Sequence, residues 1–189
     1  MKYTKSLLLC VAILPIFAIA AIAQENGGVF TGNIIGYNGP RVRSAFFTLR
    51  LKGLTSEEDT AKYVATLAND GQDKLLNTMS DADLGSMQIG SKLPVNVDFA
   101  RVKMIGGKMR IVAVYPRTIS FAELRAGYRS VDYPFSYLEL WMDPKTGKGD
   151  GTFIAAAQIR WDNDNATVEV ENFATYPAKL TNVTMKLQK

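Results

Sequence analysis

Residues 95–115 read VNVDFARVKMIGGKMRIVAVY. Gly106-Gly107 is a two-residue turn of the kind that needs positive φ. Its flanks, Val95 to Ile105 and Lys108 to Tyr115, are therefore expected to pair as an antiparallel hairpin. The return strand decides the fold. Ile111-Val112-Ala113-Val114 is apolar on both faces, whereas an antiparallel strand with one wet face alternates. Phe153-Ile154-Ala155-Ala156-Ala157 behaves in the same way. Such strands belong to something covered on both sides: a sandwich, a barrel, or a sheet with helices laid across it.

Working outward, strands are expected at Val29 to Tyr37, Ser44 to Lys52, Phe135 to Met142, Thr152 to Trp161, Thr167 to Phe173 and Leu180 to Leu187. Gly32 and Gly36 inside the first suggest a bulge or a close backbone approach. Asn38-Gly39-Pro40 is a turn, and Asp143 to Gly151 and Asp162 to Ala166 read as turn-rich loops. Thr55-Ser56-Glu57-Glu58 reads as a capping box opening a helix, with Thr55 as its cap. Ala61, Val64, Ala65 and Ala68 are its expected apolar stripe, and Gly71 its stop. Asp73 to Met79 forms a second short helix with Leu75, Leu76 and Met79 on its apolar face. Ser120 to Ala126 reads as one helical turn ending at Gly127. The expected fold is α+β and mainly β. It is an antiparallel sheet of about eight strands curled into a sandwich or partial barrel, with a short helical pair inserted after the second strand.

The N-terminus reads as a cleavable signal. Lys2 and Lys5 precede the apolar run Leu7 to Leu14, and Ala21-Ile22-Ala23 fits the small-x-small cleavage pattern. The expected organisation is a signal peptide over 1–23 and a single β-rich domain over 24–189, exported to the periplasm or secreted, with no membrane span after cleavage. Removal of residues 1–23 leaves 166 residues with 20 Lys+Arg against 18 Asp+Glu, a net charge of +2. A charge that small is no argument for nucleic acid or an anionic membrane, and no nucleic-acid partner is expected. The one cysteine, Cys10, leaves with the signal, so the domain carries no disulfide.

Histidine is absent from the chain, which excludes Ser-His, Cys-His and His-ligated zinc chemistry. Gly147-Lys148-Gly149-Asp150-Gly151 lacks the spacer and Lys-Ser/Thr pair of a phosphate loop, and a strand rather than a helix follows it. The acidic loops read as hairpin turns rather than calcium sites, since neither has the EF-hand spacing. Ala155 to Ala157 leave room either for a close-packed helix or for a ligand cavity.

The richest stretch for recognition is Tyr115 to Trp141. Arginines grip anions and rings stack on flat ligand faces. Arg117, Arg125, Tyr128, Arg129, Asp132 and Tyr133 are the candidate ligand-binding residues. The competing expectation for the same segment is that its rings are core and its arginines pair with Glu123 and Asp132. The block running through Arg117, Phe121-Ala122-Glu123, Asp132-Tyr133-Pro134-Phe135 and Glu139-Leu140 resembles one found in a family of exported bacterial proteins with no known activity. That resemblance implies export and nothing about chemistry. The function expected is a non-enzymatic binding or envelope-associated domain that recognises a small ligand or an envelope protein, with no cofactor and no metal. The alternative is a carboxylate-dependent hydrolase using Glu123 and Asp132.

Overall fold

A computed structural model of the chain describes residues 27–38, 41–80, 82–118, 123, 125, 128–174 and 176–186. The expected signal peptide, the expected N-terminus at Gln24, residues 39–40 of the expected first turn and most of the helical turn expected over Ser120 to Ala126 lie outside the described residues. Among the described residues, ten strands form one antiparallel sheet. They are β1 (Gly28–Asn38), β2 (Arg41–Leu51), β3 (Gly85–Ile89), β4 (Val95–Asn96), β5 (Phe99–Ile105), β6 (Lys108–Pro116), β7 (Phe135–Asp143), β8 (Lys148–Asp162), β9 (Thr167–Asn172) and β10 (Ala178–Lys186). The helical pair, α1 (Glu57–Asp70) and α2 (Gln72–Met79), follows the second strand as expected.

The strand order is β4-β3-β2-β1-β10-β8-β7-β6-β5, with β9 pairing the far half of β8. The sheet curls into a half-barrel because the two ends of that order, β4 and β5, are neighbours in the chain. At the junction Val97 donates to the Gly85 carbonyl at 3.0 Å and accepts from the Leu84 amide, while Asp98 donates to the Val114 carbonyl at 3.1 Å. The expected single strand Val95 to Ile105 is thus split. Its first residues pair with β3 and the rest with β6.

The doubly apolar strands are explained by two cores. Ile111, Ala113 and Tyr115 of β6 join Phe30, Phe47, Leu138, Leu140 and Phe153 inside the curl. Val114 of β6 and Ile154, Ala157 and Ile159 of β8 point the other way, packing with Leu67, Leu75 and Met79 of the helices. The interior of the curl is therefore filled by side chains, and the second core lies between the helices and the sheet's outer face. Of the alanine run, Ala157 is buried in that outer core and Ala155 is exposed.

Several local expectations are corrected. The α1 cap is Ser56, not Thr55: the Ser56 hydroxyl accepts from the Asp59 amide at 2.9 Å. Thr55 instead accepts from the Ala100 amide at 3.0 Å, tying the helix entry to β5. Ala61, Ala65 and Ala68 are exposed, and Leu67 is the buried residue of α1. The loop expected over Asp143 to Gly151 shrinks to residues 144–147, because β8 begins at Lys148. Its glycines are strand residues lying close under β7. A Cβ on Gly149 or Gly151 would stand 2.2 Å from the Trp141 carbonyl oxygen or 2.0 Å from that of Glu139. Gly32 is the close approach read from sequence, lying where the β1–β10 register shifts.

Candidate functional site

The segment singled out for its arginines and rings divides in two. Arg117 is turned inward. Its Nε donates to the Tyr133 carbonyl at 3.0 Å, Nη2 to the Ser130 carbonyl at 2.7 Å, and Nη1 to both Glu123 oxygens at 3.1 and 3.2 Å. Ser130 also donates its hydroxyl to Glu123 at 3.2 Å. Tyr133 is buried, its ring edge-on to Phe173 and its hydroxyl donating to Glu171 at 2.6 Å. That hydrogen bond raises the Tyr133 phenol and helps lower the Glu171 carboxyl, which Arg160 and Arg129 also approach. Arg125, Tyr128, Arg129 and Asp132 are exposed. Arg129 reaches back to the Tyr133 hydroxyl at 3.3 Å and lies 3.9 Å from Glu171. The segment is thus half fastening and half surface. Glu123 serves as the counter-ion of Arg117, while Asp132 stands on the exposed side of the short 3-10 turn Arg129–Asp132.

The concave feature lies elsewhere. A groove of about 580 Å³ opens between the helical pair and the outer face of the sheet. Its floor is Phe99 of β5, Val112 and Val114 of β6, Ile159 and Trp161 of β8 and Val168 and Val170 of β9. Its other wall is Tyr63, Val64 and Leu67 of α1 with Leu75 and Met79 of α2. The size suits a small ligand, and mostly apolar lining with a few polar groups is how small-molecule sites are built. No carboxylate lines it among the described residues.

Two fastenings tie the helices to the sheet. At the α1 entry, Glu57 accepts from both terminal guanidinium nitrogens of Arg101 on β5, which lowers its carboxyl. At the α2 entry, the Gln72 side chain donates to the Asp132 carbonyl at 2.9 Å and accepts from the Ile159 amide at 3.2 Å. Between them Tyr63 and Phe99 meet with ring centroids 6.4 Å apart. Toward the β5–β6 hairpin the lining turns cationic, with Arg101, Lys103 and Arg110. Arg110 donates to Glu139 at 2.9 Å and sits 5.8 Å from the centroid of the Trp141 ring. Burial alone would raise the Glu139 carboxyl, but hydrogen bonds from Arg110 and Tyr137 outweigh it and hold it low. Burial, then the Glu139 charge, pushes the Tyr137 phenol up.

None of the six residues read as ligand-binding from sequence lines this groove. Its lining comes from α1, α2 and five strands, and no local motif marks such a convergence. One signal was present: Thr60, Tyr63, Val64 and Leu67 follow helical i, i+3, i+4, i+7 spacing. The acidic loops form local turns. Asp143 accepts from the Lys145 amide at 2.7 Å, which lowers its carboxyl, and Asp162 accepts from the Asn165 side chain, which lowers its own, and from the Asp164 amide at 2.9 Å. Searches against family models, curated proteins and solved structures each find no match for the chain.

Proposed function

We propose that this chain is an exported, non-enzymatic binding domain, periplasmic or secreted, whose small ligand lies in the groove between the helical pair and the sheet. The groove carries this reading: about 580 Å³ of largely apolar space beside a curl whose own interior is filled. Apolar surface left open in a cleft favours a ligand that removes it from water. In this reading Arg125, Tyr128, Arg129 and Asp132 are a separate polar surface, suited to an envelope protein.

The test is a titration with N-phenyl-1-naphthylamine, an uncharged fluorophore that brightens in apolar surroundings. Saturable binding is expected, and Val64→Trp, which fills the groove from α1, should abolish it while the domain melts cooperatively. Val112→Trp does the same from the floor. Unsaturable fluorescence, or binding indifferent to both changes in folded protein, sinks the groove reading. Export is read separately: the N-terminus of protein recovered from its host should be Gln24, and a retained Met1 would refute cleavage.

A further inference from the structure

We infer that the ligand of this groove is an amphipathic anion, a linear acyl chain ending in a carboxylate or phosphate; the inference rests on the groove reading above. The register of β5 against β6 carries the argument. Phe99 pairs with Val114, Arg101 with Val112 and Lys103 with Arg110. Phe99, Arg101 and Lys103 alternate onto the groove face together with Val114, Val112 and Arg110. The groove is therefore graded along the strands. Phe99 and Val114 lie at the end shared with Leu67, Leu75 and Ile159, and Lys103 and Arg110 at the end toward Gly106-Gly107.

Counting charges at the second end gives its sign. Arg101 is matched by Glu57 and Arg110 by Glu139. Lys103 lines the groove and has no ion pair among the described residues, and Glu57, which it helps to lower, is already held by Arg101. The cationic end thus holds one uncompensated positive charge, with two paired arginines whose remaining N–H donors can also turn to an anion. A cationic head is disfavoured by repulsion from Arg101, Lys103 and Arg110, the charged residues of the lining. From Phe99 to Lys103 the strand runs about 13 Å, a path an extended acyl chain can follow from the apolar end to the cationic one.

The experiment displaces N-phenyl-1-naphthylamine with four 12-carbon competitors below their micelle concentrations: laurate, dodecyl phosphate, dodecanol and dodecyltrimethylammonium. The anions should compete best and the ammonium worst. The laurate-over-dodecanol preference should fall as salt is raised. Lys103→Glu should lower that preference about fivefold, the range for an exposed charge, whereas Lys108→Glu, at the hairpin but outside the lining, should leave it unchanged. Cutting the chain by two carbons should weaken binding by up to about fifteenfold. Laurate against dodecyl phosphate separates a free acid from a phospholipid-derived head. If the fluorophore binds in the groove but laurate and dodecanol compete equally, or Lys103→Glu changes nothing, the head-group inference falls and the groove reading stands. If the fluorophore does not bind, both fall.

Discussion

Arg117 shows what a single side chain can hide from a sequence reading. An arginine among tyrosines next to a chain break has the composition of a binding loop, and its fate depends on carbonyls 13 and 16 residues away. In the fold those carbonyls and Glu123 satisfy the guanidinium, whose side chain is 14% exposed. Arg117→Ala would remove the guanidinium that Glu123 accepts from and take its donors from the Ser130 and Tyr133 carbonyls. A loss of about 2–4 kcal/mol is expected, read as a lower urea midpoint. Arg125→Ala, at an exposed position, should change stability by less than about 0.5 kcal/mol. Asp98 was not legible as special either. It is 3% exposed at the β4–β5 junction, and burial, then the Asp83 charge, pushes its carboxyl up to about 7. Burial, then Asp59 and Asp98, raises the Tyr63 phenol. Between pH 4 and 7 the folded protein holds a proton here that the unfolded chain has released, so this group's contribution to stability falls as pH rises through that window. Asp98→Asn should therefore gain on the parent protein across that range, reaching on the order of 1–2 kcal/mol at pH 8. A stability difference flat from pH 4 to 8 would contradict this.

At the scale of elements, type was easier to read than phase. The strands, the Gly106-Gly107 turn and the helix stop at Gly71 follow from local chemistry: Gly106 and Gly107 have φ of 57° and 77°, and Gly71 donates to the Leu67 carbonyl. The cap moved by one residue because Thr55 has a competing partner across the chain in Ala100. The face of α1 was misassigned because alanine is apolar yet buries little area, so three alanines can face water while Leu67 and Tyr63 take the contact. Leu67→Ala should accordingly cost about 2–3 kcal/mol. Ala68→Glu, one residue on, should cost under about 0.5 kcal/mol. Equal losses in thermal denaturation would put the face of α1 elsewhere.

For the whole molecule, two-sided apolarity in residues 111–114 and 153–157 foretold covering on both faces, and the structure supplies it as an inner and an outer core. The groove was not legible, because it is what remains where the outer core stops. Its walls come from positions as far apart as Thr60 and Val170, and only the curl and the helix crossing bring them together. Where the sequence is rich in recognition chemistry, at Arg117 and Tyr133, the fold uses that chemistry internally.

The pairing of β1 with β10 has a consequence for how the molecule comes into being. On one side of that pair lie β2, β3 and β4, and on the other β8, β7, β6 and β5, each group built largely of hairpins that can form locally. The seam between the groups joins Val29 to Lys186, the first described strand to the last. Loop closure over that separation has to precede its reward, which places such a topology among slow folders, in the range of about milliseconds to seconds. Until β10 arrives, β1 and β8 each present an open edge, the condition in which strands pair with other chains. Before β10 forms, the two groups meet through the β4–β5 junction and the inner core they share, and the β1–β10–β8 seam is the part of the curl still open.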